Sequence, residues 1–163
     1  MDMPRHNPLT ILAADPDRGA QQVIVAALQK QYRVFVASNL TEAAQGLAYY
    51  QPHILLLELA QPDGDGIEFI RYVHNEPRLN GLIIACVTLR SGTRDKASAF
   101  QAGADDYIVK PINPNTFAGR VGLLTRLSRL PTWRNVPPDP DGYNADTVID
   151  YTVDRRPTQK QLR

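Results

Sequence analysis

The sequence predicts an α/β fold, a doubly wound parallel sheet of five strands with five helices shared between its two faces. Three observations predict it. Apolar runs alternate with amphipathic segments through the first 130 of 163 residues. Two of those runs, HILLLEL (His53–Leu59) and LIIACVTL (Leu82–Leu89), are apolar without alternation, as strands buried on both faces must be. Successive strand–helix units cross over right-handed, which places helices on both faces of one sheet.

The elements follow in order. LTILAA (Leu9–Ala14) is a short apolar strand ending before Asp15. Over 18–31, Ala20, Val23, Ile24, Ala27 and Leu28 recur at i, i+3 and i+4, the pattern of a helix with one buried face. RVFVAS (Arg33–Ser38) is the second strand, and Ala43, Ala44, Leu47 and Ala48 give a second helical face. After HILLLEL, a third helix over 66–75 turns Ile67, Ile70 and Val73 inward. LIIACVTL is followed by a helix over 93–102, with Gly103 as the residue that ends it. DYIVK (Asp106–Lys110) is the fifth strand, and 114–129 the fifth helix, with Phe117, Val121, Leu124 and Leu127 on one face.

The sequence divides at about residue 130, into a domain over 7–130 and a Pro-rich linker or tail over 131–163. Five of the thirteen prolines fall in that tail, and PTWRNVPPDPDGYN admits neither a regular helix nor a strand interior. TVIDYTV (Thr147–Val153) has the pattern of one short strand, either the opening of a missing effector domain or the end of a stand-alone regulator. Trp133 is expected to pin the tail to the domain.

Composition excludes several classes. The chain is 43% hydrophobic and 21% charged, a globular balance. No apolar run approaches the roughly 18 residues needed to span a bilayer. Met1–Thr10 has no apolar stretch of signal-peptide type. A single cysteine, Cys86, cannot form an internal disulfide, so the expected compartment is the cytoplasm. The net charge is +1, and the tail's five basic residues cancel its five acidic ones, so direct nucleic-acid binding is not expected. There is no G-x-G-x-x-G or P-loop, and His6, His53 and His74 have no metal-ligand spacing. No enzymatic activity is therefore expected.

Doubly wound sheets bind ligands beyond the carboxyl ends of their strands. Those ends carry Asp15-Pro16-Asp17, Glu58, Thr88 and Lys110-Pro111. Each alone has an ordinary structural explanation, Asp17 as a helix cap for instance. Two acids, a third acid, a hydroxyl and a lysine on one edge are together a candidate site.

These residues carry a resemblance. The spacing Glu58-x-x-x-Pro62-x-x-Asp65-Gly66 is similar to the phosphoacceptor loop of bacterial response-regulator receivers, and Ala102–Pro111 (AGADDYIVKP) resembles their most specific signature. Residues 9–129, about three quarters of the chain, resemble this CheY-like, flavodoxin-like family. The resemblance implies strand order 2-1-3-4-5. It also implies an aspartate at the end of strand three that accepts a phosphoryl group from a histidine kinase. A Mg²⁺ would be held by acids after strand one, by the phosphoacceptor and by a backbone carbonyl two residues on, here that of Ala60. By position Asp15 matches the first acid, Thr88 the phosphoryl-binding hydroxyl, Lys110 the lysine before a cis Pro111, and Tyr107 the aromatic that moves inward when the hydroxyl engages.

The sequence departs from that pattern. Glu58 stands at the phosphoacceptor position, in a register fixed by Pro62, Asp65 and Gly66. Asp63 lies in the loop and is no substitute by position. Pro16 replaces the second acid, with Asp17 one residue on, and Leu89 follows Thr88 where the family has a small residue. Mg²⁺ demands near-octahedral oxygen ligands, so Pro16 and Glu58 are expected to weaken it, and no cofactor is expected. A carboxylate displaced by roughly 1.5 Å is poorly placed for in-line attack, and Leu89 is expected to narrow the approach. The expected function is that of an atypical receiver that signals or regulates transcription through protein contacts, independently of phosphorylation. The alternative is a conventional phosphorelay receiver served by a histidine kinase. Glu58 itself has two readings: a partial mimic of the phosphoryl group, pairing with Lys110 and Thr88, or a structural ion pair with Lys110.

Receivers of the winged-helix subfamily pair through helix 4, strand 5 and helix 5, acids of one subunit meeting arginines of the other. Asp105, Asp106 and Arg120 match that pattern, with Arg126 and Arg129 nearby, while Gly122 replaces a second arginine. A homodimer through this face is expected, its exposed ion pairs contributing only about 0–1 kcal/mol each.

Overall fold

The computed structural model describes residues 8–128. β1 (Thr10–Ala14) leads into α1 (Arg18–Leu28), β2 (Arg33–Ala37) into α2 (Leu40–Tyr50), and β3 (Ile54–Leu57) into α3 (Gly66–His74). β4 (Ile83–Thr88) leads into α4 (Thr93–Ala102), and β5 (Asp106–Val109) into α5 (Pro114–Ser128). A two-residue antiparallel ribbon pairs Ala60–Gln61 with Gly64–Asp65, and a 3-10 turn covers Pro77–Leu79. The five main strands are all parallel, in the order β2-β1-β3-β4-β5. The predicted fold class and strand order both hold.

Alternate residues of each strand face opposite sides, and each side has its own core. Leu12, Leu55, Leu57, Ile84 and Cys86 pack with Leu47, Phe69, Val73 and Ala99 from α2, α3 and α4. Ile11, Ile54, Leu56, Ala85 and Val87 pack with Ile24, Leu28, Phe117 and Val121 from α1 and α5. β1, β3 and β4 are buried at every position, which is why their sequences do not alternate.

Side chains fix the helix starts. Asp17 Oδ1 accepts the Gly19 amide at 2.8 Å, Asn39 Oδ1 the Glu42 amide at 2.7 Å, and Asp65 Oδ1 the Ile67 amide at 2.7 Å. Each satisfies an N–H that the first helical turn leaves without a partner. Gly103 ends α4 at φ 125°, its amide donating to Ala99 and Phe100 carbonyls. A Cβ there would lie 2.4 Å from the His74 ring, so two requirements select glycine at once.

Several expectations need correction. α1 ends at Leu28, three residues short of the expected end. The strands exclude Leu9, Ser38, His53, Glu58, Leu59, Leu82, Leu89 and Lys110. Val23 and Leu127, placed on buried faces by periodicity, are 41% and 49% exposed. Periodicity marks an angular stripe, and these two lie beyond the width that the sheet covers. The domain limits at 7 and 130, Arg129, Trp133 and TVIDYTV lie outside the described residues.

Candidate functional site

Parallel pairing brings the strand ends to one edge. The Glu58 amide donates to the Ala14 carbonyl at 2.9 Å, extending the β1–β3 ladder by one residue. The Asp15 amide bonds the Ala37 carbonyl at 2.9 Å, and the Lys110 amide the Thr88 carbonyl at 2.8 Å. Three backbones are thus fixed before any side chain is considered. The Lys110–Pro111 bond is cis, as the resemblance implied.

The side chains then converge. Lys110 Nζ lies 2.6 Å from Asp15 Oδ2 and 2.9 Å from Glu58 Oε2. Glu58 Oε1 accepts the Ala60 amide at 3.0 Å and the Thr88 hydroxyl. Glu58 Oε2 faces the Leu89 amide at 3.3 Å, and Asp15 Oδ1 accepts the Asp17 amide at 2.9 Å. Asp15, Glu58 and Thr88 are 2%, 4% and 0% exposed. Buried charges need such complete pairing, because an unpaired one costs several kcal/mol.

Two acids and one ammonium set the local electrostatics. Burial alone raises the Glu58 carboxyl, but the Thr88 hydroxyl, the Ala60 amide and Lys110 outweigh it and hold the group below its ordinary 4.5. Burial alone lowers the Lys110 ammonium, but its bonds to Asp15 and Glu58 outweigh that and hold it above its ordinary 10.5. Both residues are firmly charged at neutral pH.

The network reaches β5. Thr88 Oγ1 accepts the Arg90 amide at 3.2 Å, and the Tyr107 hydroxyl donates to the Arg90 carbonyl at 2.7 Å. Tyr107 is buried, and that burial, the largest cause, pushes its hydroxyl up to about 12. The Arg90 peptide units therefore link the Thr88–Glu58 contact to the aromatic on β5.

Other candidate residues fall elsewhere. Asp17 is exposed and caps α1 through Oδ1, and it makes no bond to the side chains of Glu58 or Lys110 as Asp15 does. Leu89 is 73% exposed, so its amide rather than its bulk faces Glu58. Asp105 accepts the Ile84 amide at 2.9 Å, and Asp106 pairs with Arg120 of its own chain at 2.7 Å. Asp63 caps α2, accepting the Leu40 amide at 2.9 Å, the Thr41 amide at 3.0 Å and the Thr41 hydroxyl at 2.9 Å.

Gln61 was not singled out from the sequence. Its Nε2 donates to the Glu58 carbonyl at 2.8 Å and the Ala14 carbonyl at 3.2 Å, tying the ends of β3 and β1. The two acceptors are 47 and 3 residues away in the chain, so only the strand pairing reveals the role.

A doubly wound sheet with acids, a hydroxyl and a lysine gathered at its carboxyl edge defines a signalling receiver. The chain belongs to the response regulator receiver domain family, which matches residues 11–121. It is a receiver domain of two-component signalling. It is 30% identical over 144 residues to the KDP operon transcriptional regulatory protein KdpE of Escherichia coli, covering 88% of this chain and 61% of that protein. It is 28% identical over 122 residues to response regulator Rre1 of Synechocystis, covering 73% of this chain and 53% of that protein. A two-component response regulator from Clostridium difficile superposes with a TM-score of 0.68 at 25% identity, over 72% of this chain and 96% of that one. The chain thus spans between 53% and 61% of the length of these two curated relatives. Among the described residues no helix is long and apolar enough to cross a membrane.

Proposed function

We propose that this receiver is an atypical one, held in its signalling arrangement by Glu58 rather than by a phosphoryl group. It acts in the cytoplasm, through protein contacts that regulate transcription. One observation carries this reading: the Thr88 hydroxyl is engaged by Glu58 while Tyr107 is buried with its hydroxyl on Arg90. Glu58 reaches one carbon further than an aspartate. It brings one negative charge to Thr88 and Lys110, where phosphorylation would add about two more. All of its acceptor positions are taken, so none is aimed outward for attack on a phosphodonor.

The output face is α4–β5–α5, used by a second copy of the chain. Phe100, Leu123 and Leu127 are 48%, 60% and 49% exposed there, beside the Asp106–Arg120 pair. The alternative is a conventional receiver that accepts a phosphoryl group from a histidine kinase, supported by the similarity to KdpE. Intact mass after incubation with acetyl phosphate and Mg²⁺ separates the two. The proposal expects no adduct on the native chain; an adduct on Glu58→Asp would show that Glu58 alone silences the site, and none would implicate the rest of the pocket as well. A phosphoryl adduct on the native chain supports the conventional receiver.

A further inference from the structure

Membership of the receiver family implies a Mg²⁺ at this pocket, and the residues present do not fit one. Mg²⁺ requires near-octahedral oxygens at about 2.0–2.1 Å, usually several waters and one or two carboxylates with oxygens turned to it. Only Asp15 and Glu58 offer carboxylates here. Pro16 has no ligating side chain, and the exposed Asp17 spends Oδ1 on the Gly19 amide.

The two acids are also engaged. Asp15 uses one oxygen for the Asp17 amide and the other for Lys110. Glu58 uses one for Ala60 and Thr88, the other for Leu89 and Lys110. The ammonium lies 2.6 and 2.9 Å from the two carboxylates, in the gap a bridging dication would need. Gln61 ties the backbone beside them, its amide donating to the carbonyls of Ala14 and Glu58. The ammonium thus occupies the space between the two carboxylates, and the amide ties the strand ends beside it.

We infer that Lys110 is the resident cation of this pocket and that, with Gln61, it replaces the divalent metal: the site is closed to Mg²⁺ and assembled without it. Lys110 is the positioning residue in this arrangement, and removal of its charge opens a divalent-cation site between Asp15 and Glu58. The inference holds whether or not Glu58 sets the output, so the two fail separately.

Paramagnetic broadening of backbone amides by Mn²⁺, recorded on the full chain, tests it. The native chain is expected to show no broadening localised at Asp15, Glu58 and Ala60. Lys110→Met, which keeps the length and loses the charge, is expected to show it there, with affinity at least about tenfold higher. Localised broadening of the native chain overturns the inference, as does a folded Lys110→Met that shows none. Should Lys110→Met not fold, Gln61→Leu decides. It is expected to lower the melting temperature to the same extent with and without Mg²⁺. Restoration of its native melting temperature by Mg²⁺ would show that the metal, not Lys110, can close the gap.

Discussion

The Thr88 hydroxyl donates to a carboxylate oxygen of Glu58, thirty residues away in the chain and one strand away in the sheet. Both side chains are buried. The bond exists because β3 and β4 are parallel neighbours whose last residues face one edge, and because residue 58 is long enough to cross the gap. Thr88→Val keeps the shape and removes the donor. Glu58 Oε1 retains the Ala60 amide, while the Arg90 amide loses its acceptor. The expected cost is about 1–3 kcal/mol by urea denaturation, recovered by Thr88→Ser.

The pocket makes stability depend on pH at both extremes. Glu58 is held below its ordinary 4.5 in the fold, so its contribution is present above that value and is lost as pH falls through the lower folded one. Lys110 is held above its ordinary 10.5, so its contribution is complete below that value and is lost as pH rises through the higher folded one. Melting temperatures of the native chain should be level around neutrality and fall at both ends. In Glu58→Gln the acid-side fall should be shallower, because one linked proton is gone.

Asp63 shows how a loop acid can serve the fold alone. It bonds two amides and a hydroxyl at the start of α2, which Asn39 caps as well. Asp63→Ala should cost about 1–2 kcal/mol in chemical denaturation. The backbone chemical shifts of Glu58, Thr88 and Lys110 should stay in place. A shift at Glu58 as large as that at Leu40 would contradict this division of labour.

Gly103 combines a left-handed backbone with a side-chain-free approach to His74. Gly103→Ala should cost more than about 1 kcal/mol. Gly103→Ala combined with His74→Ala should recover only part of that loss, because the ring is removed but the backbone conformation is not.

The fold was legible because its central strands are short apolar runs with no alternation, set between amphipathic segments, as a sheet covered on both faces requires. At Leu9, Leu59, Leu82 and Leu89 the strand ends slipped because apolar character continues past the pairing: Leu59 is fully buried yet lies outside β3. Val23 and Leu127 were misplaced because the periodic stripe is wider than the face the sheet covers. At the site, Glu58, Thr88, Lys110 and Asp15 were legible, since each ends a strand and parallel order collects strand ends. Asp17 was legible as the cap of α1, a contact two residues long. Asp105 was legible as an acid but not in its role: it bonds the Ile84 amide, which only tertiary contacts bring near. Gln61 carried no sequence signal, because its two acceptors are carbonyls of strands that only the fold makes adjacent.

The most direct test of the account is the environment of the Tyr107 ring, read by NMR with no phosphodonor present, in the native chain and in Glu58→Ala. The account predicts a buried ring in the native chain, unchanged by acetyl phosphate, and a shift toward solvent in the folded Glu58→Ala chain. A Tyr107 ring that stays equally buried in folded Glu58→Ala would contradict it, leaving Glu58 as a structural partner of Lys110 alone.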